Sequence, residues 1–156
     1  MNDALRSKHS GLINGLGKLF DLLVTLRYLA ATDVSHPPHS PPVDVAGMNA
    51  LGFDPEVVAL ADLLPQLRSS VVWGYQEEGT ALMPRSKAVN YLVRDHNGYD
   101  ELWERVRLGK YPETSNDVHP LLPPTMLRLT DAGSYGVHLL YDTADRKHHR
   151  REPVVF

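Results

Sequence analysis

Cysteine is absent from the 156 residues, which excludes a disulfide framework, a cysteine nucleophile and a thiolate metal site together. Long apolar runs are absent too. Lys18, Asp21 and Arg27 interrupt the most apolar stretch, so no unbroken signal-peptide core can be drawn there. Nothing approaches the ~20 apolar residues of a membrane span. An excess of one charge is also missing: the formal net charge is -3, which argues against a nucleic-acid footprint. The expectation is a cytoplasmic protein with neither a nucleic-acid nor a membrane partner. There is no glycine-rich phosphate loop, no GxSxG turn and no HExxH helix, and these absences disfavour an NTPase, a serine hydrolase and a zinc protease. The glycines at Gly11, Gly15 and Gly17 follow no strand, so they fail the dinucleotide fingerprint. No cofactor and no metal are expected.

What is present reads as one folded domain. Hydrophobic residues make up 42% and charged residues 22%, too apolar for a disordered chain. The stretch from Leu121 to Thr143 carries two apolar segments around Asp131-Ala132-Gly133-Ser134. In the second segment Tyr135, Val137, Leu139 and Tyr141 alternate with Gly136, His138, Leu140 and Asp142. A period of two beside a glycine-bearing turn predicts an antiparallel hairpin.

Leu12, Leu16, Leu19, Leu23 and Leu26 recur at spacings of three and four, the pattern of an amphipathic helix. Its wide apolar face needs a cover, either this chain's own sheet or a second copy in a homodimer. Asp33 to Val43 holds four prolines and reads as an extended polyproline II linker. A short helix over Asp44 to Leu51 stops at Gly52. Asp54-Pro55-Glu56 opens another, with Asp54 as N-cap and Pro55 at the first helical position. Strands are expected over 70–75 and 80–84, a helix over Ser86 to Val93, another from Asp100 to Gly109, and a last strand near Val154 to Phe156. The basic run Arg146 to Arg151 reads as a solvated turn or tail. Helices grouped apart from strands define an α+β domain with N-terminal helices on a mainly antiparallel sheet. Its parts are residues 1–32, a linker over 33–43 and a body over 44–156.

Candidate chemistry is sparse. His138 and Asp142 share a strand face about 13 Å apart, too far for a direct hydrogen bond. Tyr141 or His138 can donate to a substrate carbonyl, so His138, Tyr141 and Asp142 are the catalytic candidates. Trp73, Tyr75, Met83, Tyr91, Trp103 and Tyr135 are the candidates for an apolar substrate pocket. His36-Pro-Pro-His39 is the most metal-like pattern, because residues three apart share an edge in polyproline II; two ligands alone make no closed site.

The order Leu63-Leu64-Pro65, a tryptophan-bearing strand, Ala81-Leu82-Met83-Pro84 and the strand Gly136 to Thr143 resembles the SUKH superfamily, over roughly residues 53–156. That superfamily includes fungal cell-wall regulators and bacterial toxin-immunity proteins. Gly133, Gly136 and Asp142 fit its final hairpin, and the composition looks like that of a filamentous-fungal protein. The resemblance implies a non-catalytic binding module with a protein partner. The other reading is a cofactor-independent cyclase or isomerase that folds an apolar small molecule into a reactive shape, gaining rate from positioning.

Overall fold

A computed structural model of the protein describes residues 2–68, 81–83, 86–93, 106–107, 121–132, 137–145 and 147–151. Two helices open the chain, α1 over Asn2–Lys8 and α2 over Ser10–Thr25. The predicted single helix is thus broken at His9. Leu12, Ile13 and Phe20 are the buried residues of α2; the helix packs on its own domain. Leu19, Leu22 and Leu26 face outward at 37%, 52% and 54% exposure.

The proline-rich segment departs from the extended conformation expected of it. It begins with β1, Val34–Ser35, and contains cis peptides at Pro37-Pro38 and Ser40-Pro41. His39 Nδ1 lies 3.0 Å from Ser35 Oγ.

Next comes α3, Val45–Ala50, whose cap Asp44 accepts a hydrogen bond from the Gly47 N–H at 2.8 Å. It ends before Gly52, whose φ of +72° is open to glycine at little cost. The Asp54 carboxylate accepts from the Glu56 N–H at 2.9 Å, opening α4 at Pro55–Ala61. The Asp54 cap falls where the sequence places it, while Asp44, read as the first residue of the short helix, is its N-cap. The chain then forms β2, Gln66–Leu67, antiparallel to β1.

Two further antiparallel sheets complete the described architecture. One holds β3 (Ala81–Met83), β4 (Ser86–Ala88) and β6 (Thr130–Ala132) in the order β3-β4-β6. The other holds β5 (Met126–Arg128), β7 (His138–Asp142) and β8 (Lys147–Arg151) in the order β5-β7-β8. The result is the α+β class that the sequence implies. Two expectations are overturned. Residues 86–88 are strand, not helix: they pair with β3 on one side and β6 on the other, and sheet pairing outweighs a weak local helix preference. Residues 147–151 form an edge strand in register with β7, Tyr141 opposite His148. Lys147–Arg151 of the basic run is therefore part of a sheet.

The predicted hairpin pairs as expected, with Met126 opposite Asp142 and Leu127 opposite Tyr141. Its first arm, however, changes sheets at Leu129. The Thr130 hydroxyl accepts from the Leu139 N–H and donates to the Val137 carbonyl, both at 2.8 Å. One side chain thereby takes two positions of the ladder and frees the Thr130 backbone to join β4. The strands expected over 70–75 and 154–156 and the helix expected from Asp100 lie outside the described residues.

The main core joins Leu12 and Ile13 of α2, Val57, Leu60 and Ala61 of α4, and Leu127 and Tyr141 of the sheet. Phe20, Leu29, Val34 and Leu67 form a second cluster under the C-terminal half of α2. On the opposite sheet face Leu122, Met126 and Leu140 pack together.

Candidate functional site

The three catalytic candidates do not converge. Period-two alternation sends Tyr141 into the main core, while Leu140 joins the cluster on the reverse face. His138 shares that reverse face with Arg128. Asp142 ends β7, where its carboxylate accepts from the Ala144 N–H at 2.9 Å and shapes the turn into β8. Two separate polar constellations result.

The first is built around a residue that the sequence did not single out. His9, at the junction of α1 and α2, is 1% exposed. Its Nε2 lies 2.8 Å from Glu56 Oε1 and its Nδ1 2.8 Å from the Tyr141 hydroxyl. A carboxylate only accepts, so Nε2 carries a proton; in the neutral ring Nδ1 then accepts from the Tyr141 O–H. Lys8 also pairs with Glu56. This pairing holds the Glu56 carboxyl below the usual carboxylate range, with the His9 hydrogen bond adding to it and partial burial opposing it. The chain Glu56–His9–Tyr141 runs from the surface into the core and ties α1, α4 and β7 together. Tyr141 packs edge-on against the His9 ring at 5.6 Å between centroids.

The second constellation is Arg128, Asp131 and His138. Arg128 is buried and donates to Asp131 Oδ1 at 2.7 Å. Arginine only donates, so His138 Nδ1, 3.2 Å away, accepts from it. His138 Nδ1 also lies 3.6 Å from Asp131. An arginine–carboxylate pair with a histidine at its side is a charge-balanced unit, suited to holding the corner where β6 leaves β7.

Of the pocket candidates, Tyr91 is described in full. It is buried, and its hydroxyl donates to the Arg128 carbonyl at 2.8 Å while accepting from the Arg128 N–H at 3.2 Å. Burial pushes its phenol well above the usual tyrosine range. Met83 lies in β3. Trp73, Tyr75, Trp103 and Tyr135 lie outside the described residues. A cavity of about 60 Å³ lies beneath α2, walled by Phe20, Leu64, Val89, Tyr91 and Leu129 among others. Its exposed wall is Leu19. Small-molecule sites occupy roughly 300–1,000 Å³, so this space holds one small apolar group.

The outer surface of α2 is the remaining feature. Leu19, Leu22 and Leu26 form a row on α2, and Tyr28 beyond its end is 59% exposed. Large apolar side chains grouped on a surface mark contact sites. Among the described residues, no group of three or more His, Asp or Glu side chains is placed to hold a metal ion, and no helix is long and apolar enough to cross a membrane. Compared with known proteins, the chain finds no significant match among family models, curated proteins or solved structures.

Sequence reasoning missed His9, Arg128 and Asp131 as bonded groups and treated Glu56 only as a helix-start residue. The one available signal for His9 was the polar Lys8-His9 step ahead of the leucine repeat. Its bonding partners stand 47 and 132 residues away, beyond the reach of any local pattern.

Proposed function

We propose that this chain is a non-catalytic intracellular binding module of SUKH-like form, engaging a protein partner through the outward face of α2. The observation that carries this reading is the exposed row Leu19, Leu22 and Leu26 on a helix whose other face is already seated in the core. A protein surface that leaves three leucines of one helix in water has reason to do so when a partner covers them. The polar side chains lend support in a different way. Glu56, His9 and Tyr141 bond one another, as do Arg128, Asp131 and His138, which is the pattern of bracing groups. Among the described residues, the cavity beneath α2 is several times smaller than the chamber a cyclase or isomerase calls for.

The test is native mass spectrometry of the protein purified from its own host, in wild-type form and as Leu22→Glu/Leu26→Glu. The expected result is a polypeptide retained at fixed stoichiometry by the wild type and lost from the double variant, both keeping the same melting temperature. A small apolar molecule released on denaturation from both forms, with no polypeptide, overturns the module in favour of the enzyme.

A further inference from the structure

The cavity beneath α2 lies where the two larger sheets part. Leu129, at which the chain passes from β5 to β6, stands in its wall together with Leu16 and Phe20 of α2. Two other wall residues are small: Ala61 at the end of α4 and Ala88 at the end of β4. About 60 Å³ is left unfilled between them. A void of this kind deprives its lining of the dispersion contacts that a packed interior provides.

The polar groups in the wall are committed to partners of their own. The Gln66 carboxamide donates to the Ala61 carbonyl at 2.8 Å and accepts from the Tyr91 N–H at 2.7 Å. The Tyr91 hydroxyl is bonded to the Arg128 backbone and the Thr130 hydroxyl to Val137 and Leu139. The Arg128 guanidinium is paired with Asp131. The space is therefore an apolar one, which stays dry and takes neither an ion nor a hydrogen-bonding head group.

Size narrows the occupant further. A benzene ring sits in a cavity of ~150 Å³, and a water-sized group takes ~30 Å³. The 60 Å³ here thus admits about two carbon atoms with their hydrogens and no ring. The cavity is partly open to solvent, and among the described residues that line it Leu19 alone is exposed. A longer molecule can enter by one end and leave the rest outside.

We propose that this cavity binds the end of an alkyl chain, with the remainder of the small molecule lying outside beside Leu19. The site goes beyond the protein-binding reading and does not depend on whether a polypeptide covers α2.

Titration of the purified full chain with 1-hexanol, read by carbon-13 methyl NMR, tests this. The methyl groups of Leu64, Val89 and Leu129 are expected to shift saturably, while those of Leu122, Met126 and Leu140 on the opposite sheet face stay in place. Benzyl alcohol, whose ring exceeds the space, is expected to move neither set. Ala88→Val adds two methyl-sized groups to the wall; it is expected to weaken hexanol binding by about tenfold or more and to raise the melting temperature. Leu16→Ala enlarges the space from the helix side and is expected to tighten binding severalfold, which keeps the test decisive if Ala88→Val fails to fold. No saturable shift up to the solubility limit of hexanol overturns the proposal. So does a shift of equal size at Leu122, Met126 and Leu140, a response to benzyl alcohol as strong as that to hexanol, or an affinity that neither variant changes.

Discussion

His9 occupies the one non-helical position between α1 and α2, and from there its ring bridges a surface carboxylate and a core phenol. Removing it takes the His9 hydrogen bond from the Tyr141 hydroxyl inside the main core and opens the space of an imidazole. The expected loss for His9→Ala is about 2–4 kcal/mol by urea unfolding. Tyr141→Phe removes the same hydrogen bond while keeping the packing, so it is expected to cost about 1 kcal/mol. Combined, the two substitutions are expected to fall short of their sum by ~1 kcal/mol, the signature of a shared bond. Strict additivity would show that the 2.8 Å contact contributes nothing.

Among the elements, the crossing from β5 to β6 is braced by the Thr130 hydroxyl. Thr130→Val keeps the side-chain shape but strips the Leu139 N–H of its acceptor and the Val137 carbonyl of its donor. Each of the two polar groups then loses one hydrogen bond at the edge of the core, and a loss of about 1–3 kcal/mol is expected. Hydrogen exchange at the Leu139 amide reads this directly; unchanged protection there would refute the account. The elements also divide according to how far their determinants reach. Asp44, Asp54, Pro55 and Gly52 act within four residues, so α3 and α4 were legible. The alternation Val137 to Tyr141 was legible for the same reason, and it assigned the two faces of β7 correctly. Residues 86–88 and 147–151 were misread because their strand character comes from pairing with β6 and β7, which no local pattern records. The catalytic candidates do not come together: His138 and Tyr141 lie on opposite faces of β7.

For the molecule as a whole, acid is the condition that separates its parts. Glu56 on α4 receives Lys8 from α1 and His9 from the junction with α2, and its carboxyl is held below the ordinary range. A carboxyl with a lowered folded pKa stabilises fully above its unfolded value, about 4.3. That contribution disappears as pH falls through the lowered folded value. Wild type and Glu56→Gln are therefore expected to differ most in urea midpoint near neutrality and to converge as the pH drops below about 4. A gap that persists undiminished in strong acid would mean that packing, not charge, makes the difference.

The same junction sets a condition on how the chain is made. On a ribosome Tyr141 follows its partner His9 by 132 residues. At synthesis rates of about 5–20 residues per second, the interval is roughly 7–26 s. Throughout it Leu12 and Ile13, which the finished fold buries beside Leu127 and Tyr141, have no sheet to lie on. The two helices are thus translated well before the strands that secure them, and the nascent chain is a client for whatever shields apolar helices until those strands arrive.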